Sequence, residues 1–152
     1  MASYRKVLVG TDGSTSSFRA VETAGRVAAD AGAKLLLVSA YQPMPDRDRV
    51  RAGDQLGDLA YKVEGSAPAE DVLRAARERA IASGATDVEE IAVAGDPVDT
   101  LLELAADHEV DLVVVGNRGL STLTGRLLGS VPATLSHRAR CDVLIVHTTD
   151  GK

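Results

Sequence analysis

The chain has 152 residues, the length of one ordinary domain, with 45% apolar, 26% charged and only 3% aromatic residues. Its core must therefore consist of Val, Leu, Ile and Ala, and aromatic stacking on single-stranded nucleic acid is disfavoured. The formal net charge of −5 argues against nucleic-acid polymers and acidic membrane surfaces as partners. The single cysteine excludes an intrachain disulfide. No run approaches the roughly 18 apolar residues of a membrane span and no signal peptide is evident, so we expect a cytoplasmic protein.

Five short apolar runs are predicted to be β-strands. They are residues 5–11, 33–41, 89–95, 111–117 and 141–148. Most of them place Val, Leu or Ile at successive positions instead of alternating positions. This pattern is typical of parallel strands that are covered on both faces.

Four helical patterns lie between these strands. The first predicted helix ends at Gly32, and the second opens at Pro68. The third has Asp96 as its N-cap and Pro97 in its first turn, and the fourth runs from near Ser130 to about Arg140. Alternating strands and helices predict a single α/β domain over residues 1–152. We expect an open, Rossmann-like, five-stranded parallel sheet of order 3-2-1-4-5 with helices on both faces.

One connection is longer than the short loops that such a domain normally contains. Residues 42–66 carry many charges, two prolines and no sustained periodicity. Because the segment follows the second strand, it is placed to act as a flap over a ligand. A surface insertion without a function is the alternative, and the sequence leaves both open.

A glycine-rich segment follows the fourth strand. It carries Gly116, Gly119, Gly125 and Gly129, each of which would cost about 0.5–1 kcal/mol inside a helix or strand. Residues 116–140 contain four arginines and no acidic residue, in a chain that is acidic as a whole.

The predicted strand order suggests what these glycines do. In an open parallel sheet, ligands bind beyond the carboxyl ends of the strands where the order reverses, here between the first and fourth strands. The loops that meet there, residues 10–17 and 116–130, are rich in Gly, Ser and Thr, and each leads into a helix N-terminus that favours anions. We therefore predict a phosphate-binding loop. The alternative is that the glycines only permit tight turns.

Other common sites are not predicted. The stretch GRLLGS at 125–130 lacks the lysine of a P-loop, and no G-x-G-x-x-G follows a strand. The three histidines are not predicted beside the loop, and the acidic residues at 107–111 are expected to be solvated at the opposite edge of the sheet. Asp12 alone is well placed. We therefore do not expect an enzyme.

The segment GNRGLSTLTGRLLGS at 116–130 resembles the G-x2-G-x9-G-[ST] signature of nucleotide-binding universal stress proteins. The resemblance extends from KVLVGTDGS near the start of the chain to CDVLIVHT near its end. It implies Gly10, Thr11 and Asp12 near the phosphates and any Mg²⁺, Val38 and Ala40 as the wall for adenine, Gly116, Arg118 and Gly119 as the ribose and phosphate loop, and Gly129, Ser130 and Val131 as the helix start that binds phosphate.

The resemblance also implies a regulatory, adenine-nucleotide-binding module of the stress response that holds ATP or cyclic AMP. It implies a homodimer formed through the fifth strand, residues 141–148. Two positions depart from the family pattern, Asn117 and Pro132. Because proline has no N–H, Pro132 keeps cyclic AMP, which has one phosphate, as a candidate beside ATP. Two alternatives remain. One is a dimeric interaction protein with a vestigial nucleotide site, and the other is an enzyme that slowly hydrolyses ATP or transfers an adenylyl group.

Overall fold

The computed structural model of the chain describes residues 4–42, 66–117 and 130–148. The strands are β1 (Lys6–Gly10), β2 (Lys34–Tyr41), β3 (Val88–Ala94), β4 (Leu112–Gly116) and β5 (Asp142–Val146), and the helices are α1 (Thr15–Ala31), α2 (Ser66–Ala82), α3 (Pro97–Asp107) and α4 (Ser130–Arg138). The predicted flap falls outside the described residues from position 43 to 65. No helix in the described ranges is both long enough and apolar enough to cross a membrane.

The five strands form one parallel sheet in the order β3-β2-β1-β4-β5. The predicted fold class and strand order are therefore confirmed. β3 and β5 are the two edges, and the order reverses between β1 and β4, so the switch point lies where the sequence predicted it.

Helices cover both faces of the sheet. On one face α1 and α2 pack on Val7, Val9, Leu35 and Leu37, and on the other α3 and α4 pack on Leu8, Leu36, Val113 and Val115. Successive strand residues thus enter opposite cores, which explains the continuous apolar runs of β1, β2 and β4. The helices that follow β1 and β4 lie on opposite faces, so the chain diverges at the switch point.

Local signals set the helix ends. Ser14 caps α1 by accepting the N–H of Ser17, and Gly32 ends that helix in the left-handed conformation, with φ of 67°. Asp96 caps α3 by accepting the N–H of Asp99, as the Asp-Pro pair predicts. The helix expected to open at Pro68 begins two residues earlier, at Ser66, because proline is tolerated throughout the first turn.

Carboxylates hold the amino edge of the sheet together. Asp111 was expected to be solvated, and this was wrong. Its carboxylate accepts the backbone N–H groups of Arg5 and Lys6 at 2.9 and 3.0 Å. The hydroxyl of Tyr4 donates to Asp142 at 2.8 Å. These bonds tie the start of β1 to β4 and β5, so Asp111 and Asp142 have a structural role at this edge.

Candidate functional site

The candidate crevice is the region beyond the carboxyl ends of β1 and β4, where the strand order reverses and ligands bind in open parallel sheets. The two strands pair from Val7 with Leu112 to Val9 with Val114, and the pairing ends there. Gly10 and Gly116 are the last residues of their strands, and both are buried. The helices that follow these two strands, α1 and α4, lie on opposite faces of the sheet. The structure thus brings two of the predicted site residues to the ends of neighbouring strands.

The loop between β1 and α1 forms one wall of this crevice, and its own side chains hold it in shape. The Oγ1 atom of Thr11, which is buried, lies 2.7 Å from Oγ of Ser17 and also accepts the N–H of Gly13. Asp12 is exposed, and its Oδ1 accepts the N–H of Ser14 at 2.9 Å. Ser17 was not predicted as a site residue, although the Ser/Thr-rich stretch 14–17 was the available signal.

Gly13 shows that this loop conformation needs a glycine. Its φ is +86°, and a Cβ atom there would lie 2.8 Å from Cγ2 of Val72 in α2. A larger residue would therefore be strained and would push the loop away from the helix. The loop is fixed by backbone conformation as well as by hydrogen bonds.

The main chain at the end of β2 extends beyond its pairing with β1. β1 pairs with β2 only as far as Gly10 with Val38, whereas β3 follows β2 to Tyr41. The carbonyl of Val38 accepts the N–H of Thr11, and that of Tyr41 accepts the N–H of Gly95. Because main-chain groups alternate in direction along a strand, those of Ala40 point to the β1 side, where no described strand residue pairs with them.

These contacts separate the two residues predicted to contact adenine. The side chain of Val38 is buried in the core with Leu36, and its carbonyl is occupied by Thr11. Ala40 therefore has the main-chain edge that could recognise a base.

Helix α4 begins at Ser130, as predicted, and its N-terminus follows the glycine-rich segment. Val131 is 7% exposed and packs in the same core as Leu135. Only its main chain could therefore contact a ligand. Pro132 is also buried in this first turn and withholds one N–H group. Arg118, Gly119 and Gly129, together with the side chain of Ser130, lie outside the described residues, so their predicted roles stay predictions.

The groups around the crevice are suited to binding. Main-chain groups at Ala40 and at the start of α4 and the exposed carboxylate of Asp12 can form hydrogen bonds to a polar ligand. The hydroxyls of Thr11 and Ser17 are buried and bond within the loop, so they shape the site instead of contacting the ligand. In the three described ranges, no group of three or more His, Cys, Asp or Glu side chains is placed to hold a metal ion. His108 caps the far end of α3, where its carbonyl accepts from Lys6 Nζ.

The similarity to known proteins extends over nearly the whole chain. A model of the universal stress protein family matches residues 3–147. The universal stress protein Rv1636 of Mycobacterium tuberculosis strain H37Rv is 55% identical over 149 residues, covering 98% of this chain and 100% of the relative.

Two solved structures agree with this. A crystal structure of a universal stress protein in complex with cAMP is 51% identical, with a TM-score of 0.75, and the match covers 96% of this chain and 98% of the other. The universal stress protein UspA from Lactobacillus plantarum has the same fold at 24% identity, with a TM-score of 0.77, and the match covers 97% of this chain and 100% of the other. The chain therefore belongs to the universal stress protein family.

Proposed function

We propose that this protein binds an adenine nucleotide in the crevice between β1 and β4. The observation that carries the proposal is the main chain of Ala40, which points to the β1 side beyond the last β1–β2 pair and has no partner among the described strand residues. An N–H and a C=O on one residue match the acceptor and donor on the edge of adenine. The helix N-terminus supplies N–H groups and partial positive charge for phosphate. The relative in complex with cAMP supports the same ligand class.

Cyclic AMP is the nucleotide that this crevice suits best. Pro132 removes one N–H from the first turn of α4. A triphosphate needs many donors, whereas a single cyclic phosphate carries one negative charge and needs fewer. The loss of this N–H therefore weakens the binding of ATP more than that of cyclic AMP.

The nucleotide acts here as a bound signal in a regulatory module, not as a substrate. Among the residues that the structure describes, Asp12 is the carboxylate at the crevice, and it already accepts the N–H of Ser14 through Oδ1. Its exposed carboxylate is suited to hold Mg²⁺ only if nucleotide phosphates supply further ligands, as Mg²⁺ usually requires. Asp12 thus fits a metal that arrives with ATP, and the cyclic AMP complex does not require it.

A second copy of this chain is the partner that we propose for β5. This strand is an edge of the sheet, and Leu144 and Ile145, on opposite faces of the strand, are 36% and 44% exposed. An unpaired apolar edge is a liability that pairing with an identical strand across a two-fold axis would remove. We therefore propose a homodimer through residues 141–148.

Calorimetric titration with cyclic AMP, AMP and ATP tests the proposed binding. We expect saturable binding of cyclic AMP that is tighter than that of ATP. Gly129→Val should abolish it, because the resemblance places that residue against phosphate, and circular dichroism must show that the variant is folded. Absence of heat with all three nucleotides would refute the proposal, and tighter binding of ATP would refute the preference for cyclic AMP.

A further inference from the structure

Thr148 forms a hydrogen-bonded junction at the end of the outer strand. It lies two residues beyond β5 and is 3% exposed. Its N–H and its hydroxyl both donate to Oδ1 of Asn117, at 2.9 and 2.8 Å. Its carbonyl accepts from the guanidinium of Arg19 at 3.2 Å. Every polar group of this buried residue is therefore bonded, and the partners come from two other parts of the chain.

These two partners belong to the elements that follow β1 and β4. Asn117 follows Gly116 directly and is the first residue of the glycine-rich segment after β4. Its own N–H donates to the carbonyl of Val146 in β5 at 2.9 Å. Arg19 lies near the start of α1, in the helix that follows the loop at residues 11–14. Thr148 thus connects the element after β1 with the element after β4.

We propose that Thr148 is a positioning residue for the nucleotide, acting through Asn117. This inference rests on the proposed function. Bound nucleotide needs the start of α1 and the end of β4 at a fixed separation, and Thr148 bonds to Arg19 on one side and to Asn117 on the other. Because Thr148 follows the edge strand, nucleotide binding and the order of the end of β5 are linked in both directions.

The geometry explains why both bonds to Asn117 matter. One oxygen atom accepts two donors, so the amide plane of Asn117 is fixed by Thr148 and cannot rotate freely. If the hydroxyl is removed, one bond remains and the amide can turn. If the Asn117 side chain is removed, two donors of a buried residue lose their acceptor.

Affinity for cyclic AMP, measured by calorimetry on the full chain, tests this role. Thr148→Val replaces the hydroxyl by a methyl group of similar size, and we expect it to weaken binding about three- to tenfold. Thr148→Ser keeps the hydroxyl and should bind within about twofold of the wild type, a difference smaller than one hydrogen bond. Thr100→Val is the matched control, because Thr100 is 5% exposed and its hydroxyl donates to a carbonyl within α3. It should leave the affinity unchanged.

A double-mutant cycle distinguishes positioning from general loss of structure. If Thr148 acts through Asn117, the Asn117→Ala and Thr148→Val double variant should bind no more weakly than Asn117→Ala alone. Additive losses, or wild-type affinity in Thr148→Val, would overturn the inference and leave the proposed function intact. A wild-type chain that binds no nucleotide would overturn both. Thermal melts measure the loss of stability in each variant. If weaker binding followed only from lower stability, Thr100→Val would also bind cyclic AMP more weakly, in proportion to its own loss of stability.

Discussion

Replacing Ala40 by proline should remove the base-recognising donor while leaving the sheet paired. The N–H of Ala40 points to the β1 side, and β1 ends its pairing two residues earlier, at Val38. Proline is tolerated in a strand where the missing N–H has no ladder partner. Proline at position 41 should destabilise the sheet. The carbonyl of Tyr41 accepts from Gly95 on the β3 side, so the N–H of Tyr41 also points to β3, and proline would remove it from the ladder.

The magnitude follows from the bond that is lost. A ring nitrogen of adenine that is buried without its donor costs about 1–3 kcal/mol, which corresponds to a roughly five- to 150-fold weaker affinity for cyclic AMP. Ala40→Ser keeps the N–H and adds one oxygen atom, so it should bind nearly as well as the wild type. Thermal unfolding should show a smaller loss of stability for Ala40→Pro than for Tyr41→Pro, since only the latter removes a bond of the ladder.

Calorimetric titration with cyclic AMP and thermal melts of Ala40→Pro, Ala40→Ser, Tyr41→Pro and the wild type test both expectations. If folded Ala40→Pro protein binds cyclic AMP with wild-type affinity, the main chain of Ala40 does not recognise the base, and the reasoning from strand register is wrong. If Ala40→Pro melts as early as Tyr41→Pro, the assigned direction of its N–H is wrong.

Three further predictions concern α4, β5 and the cysteine. Ser130→Ala should weaken nucleotide binding about tenfold, or 1–2 kcal/mol, through one lost bond to a charged group. Arg138→Ala should change the affinity little in the same titration, because Arg138 pairs with Asp99 on the surface, in the last turn of α4. Val143→Pro should weaken a homodimer, and a wild-type chain that is monomeric at micromolar concentration by light scattering would contradict that dimer. Burial raises the pKa of the Cys141 thiol, which lines a cavity of about 360 Å³ between α3 and α4. Less thiolate is therefore present at pH 8, and iodoacetamide should react more slowly with the folded chain than with the chain in guanidinium; equal rates would argue against this burial.

The sheet could be predicted from sequence because each element carries its own local signal. Continuous apolar runs marked the strands, and the Asp96-Pro97 pair and Gly32 marked helix ends at the residues where the structure has them. Alternation of the two periods then left few topologies, and the order β3-β2-β1-β4-β5 followed.

The details of the site could not be predicted in this way, because they depend on where neighbouring strands stop. That the main chain of Ala40, unlike that of Val38, has no partner among the described strand residues follows from the register of β2 with β1 and β3. The bonds between Asn117 and Thr148 join residues 31 positions apart, and no sequence motif links the two positions. Asp111 was misjudged for the same reason, since its partners lie about a hundred residues earlier in the chain.

The most direct test of nucleotide binding at the switch point is a titration of the ¹⁵N-labelled protein with cyclic AMP, followed through its amide resonances. We predict saturable shifts of the amides at the carboxyl ends of the strands, at Thr11, Asp12, Ala40 and Gly116, while those of Lys6 and Asp111 at the opposite edge stay in place. Saturable shifts confined to the amino edge, or no saturable shift at all, would contradict the assignment of the crevice between β1 and β4 as the nucleotide site.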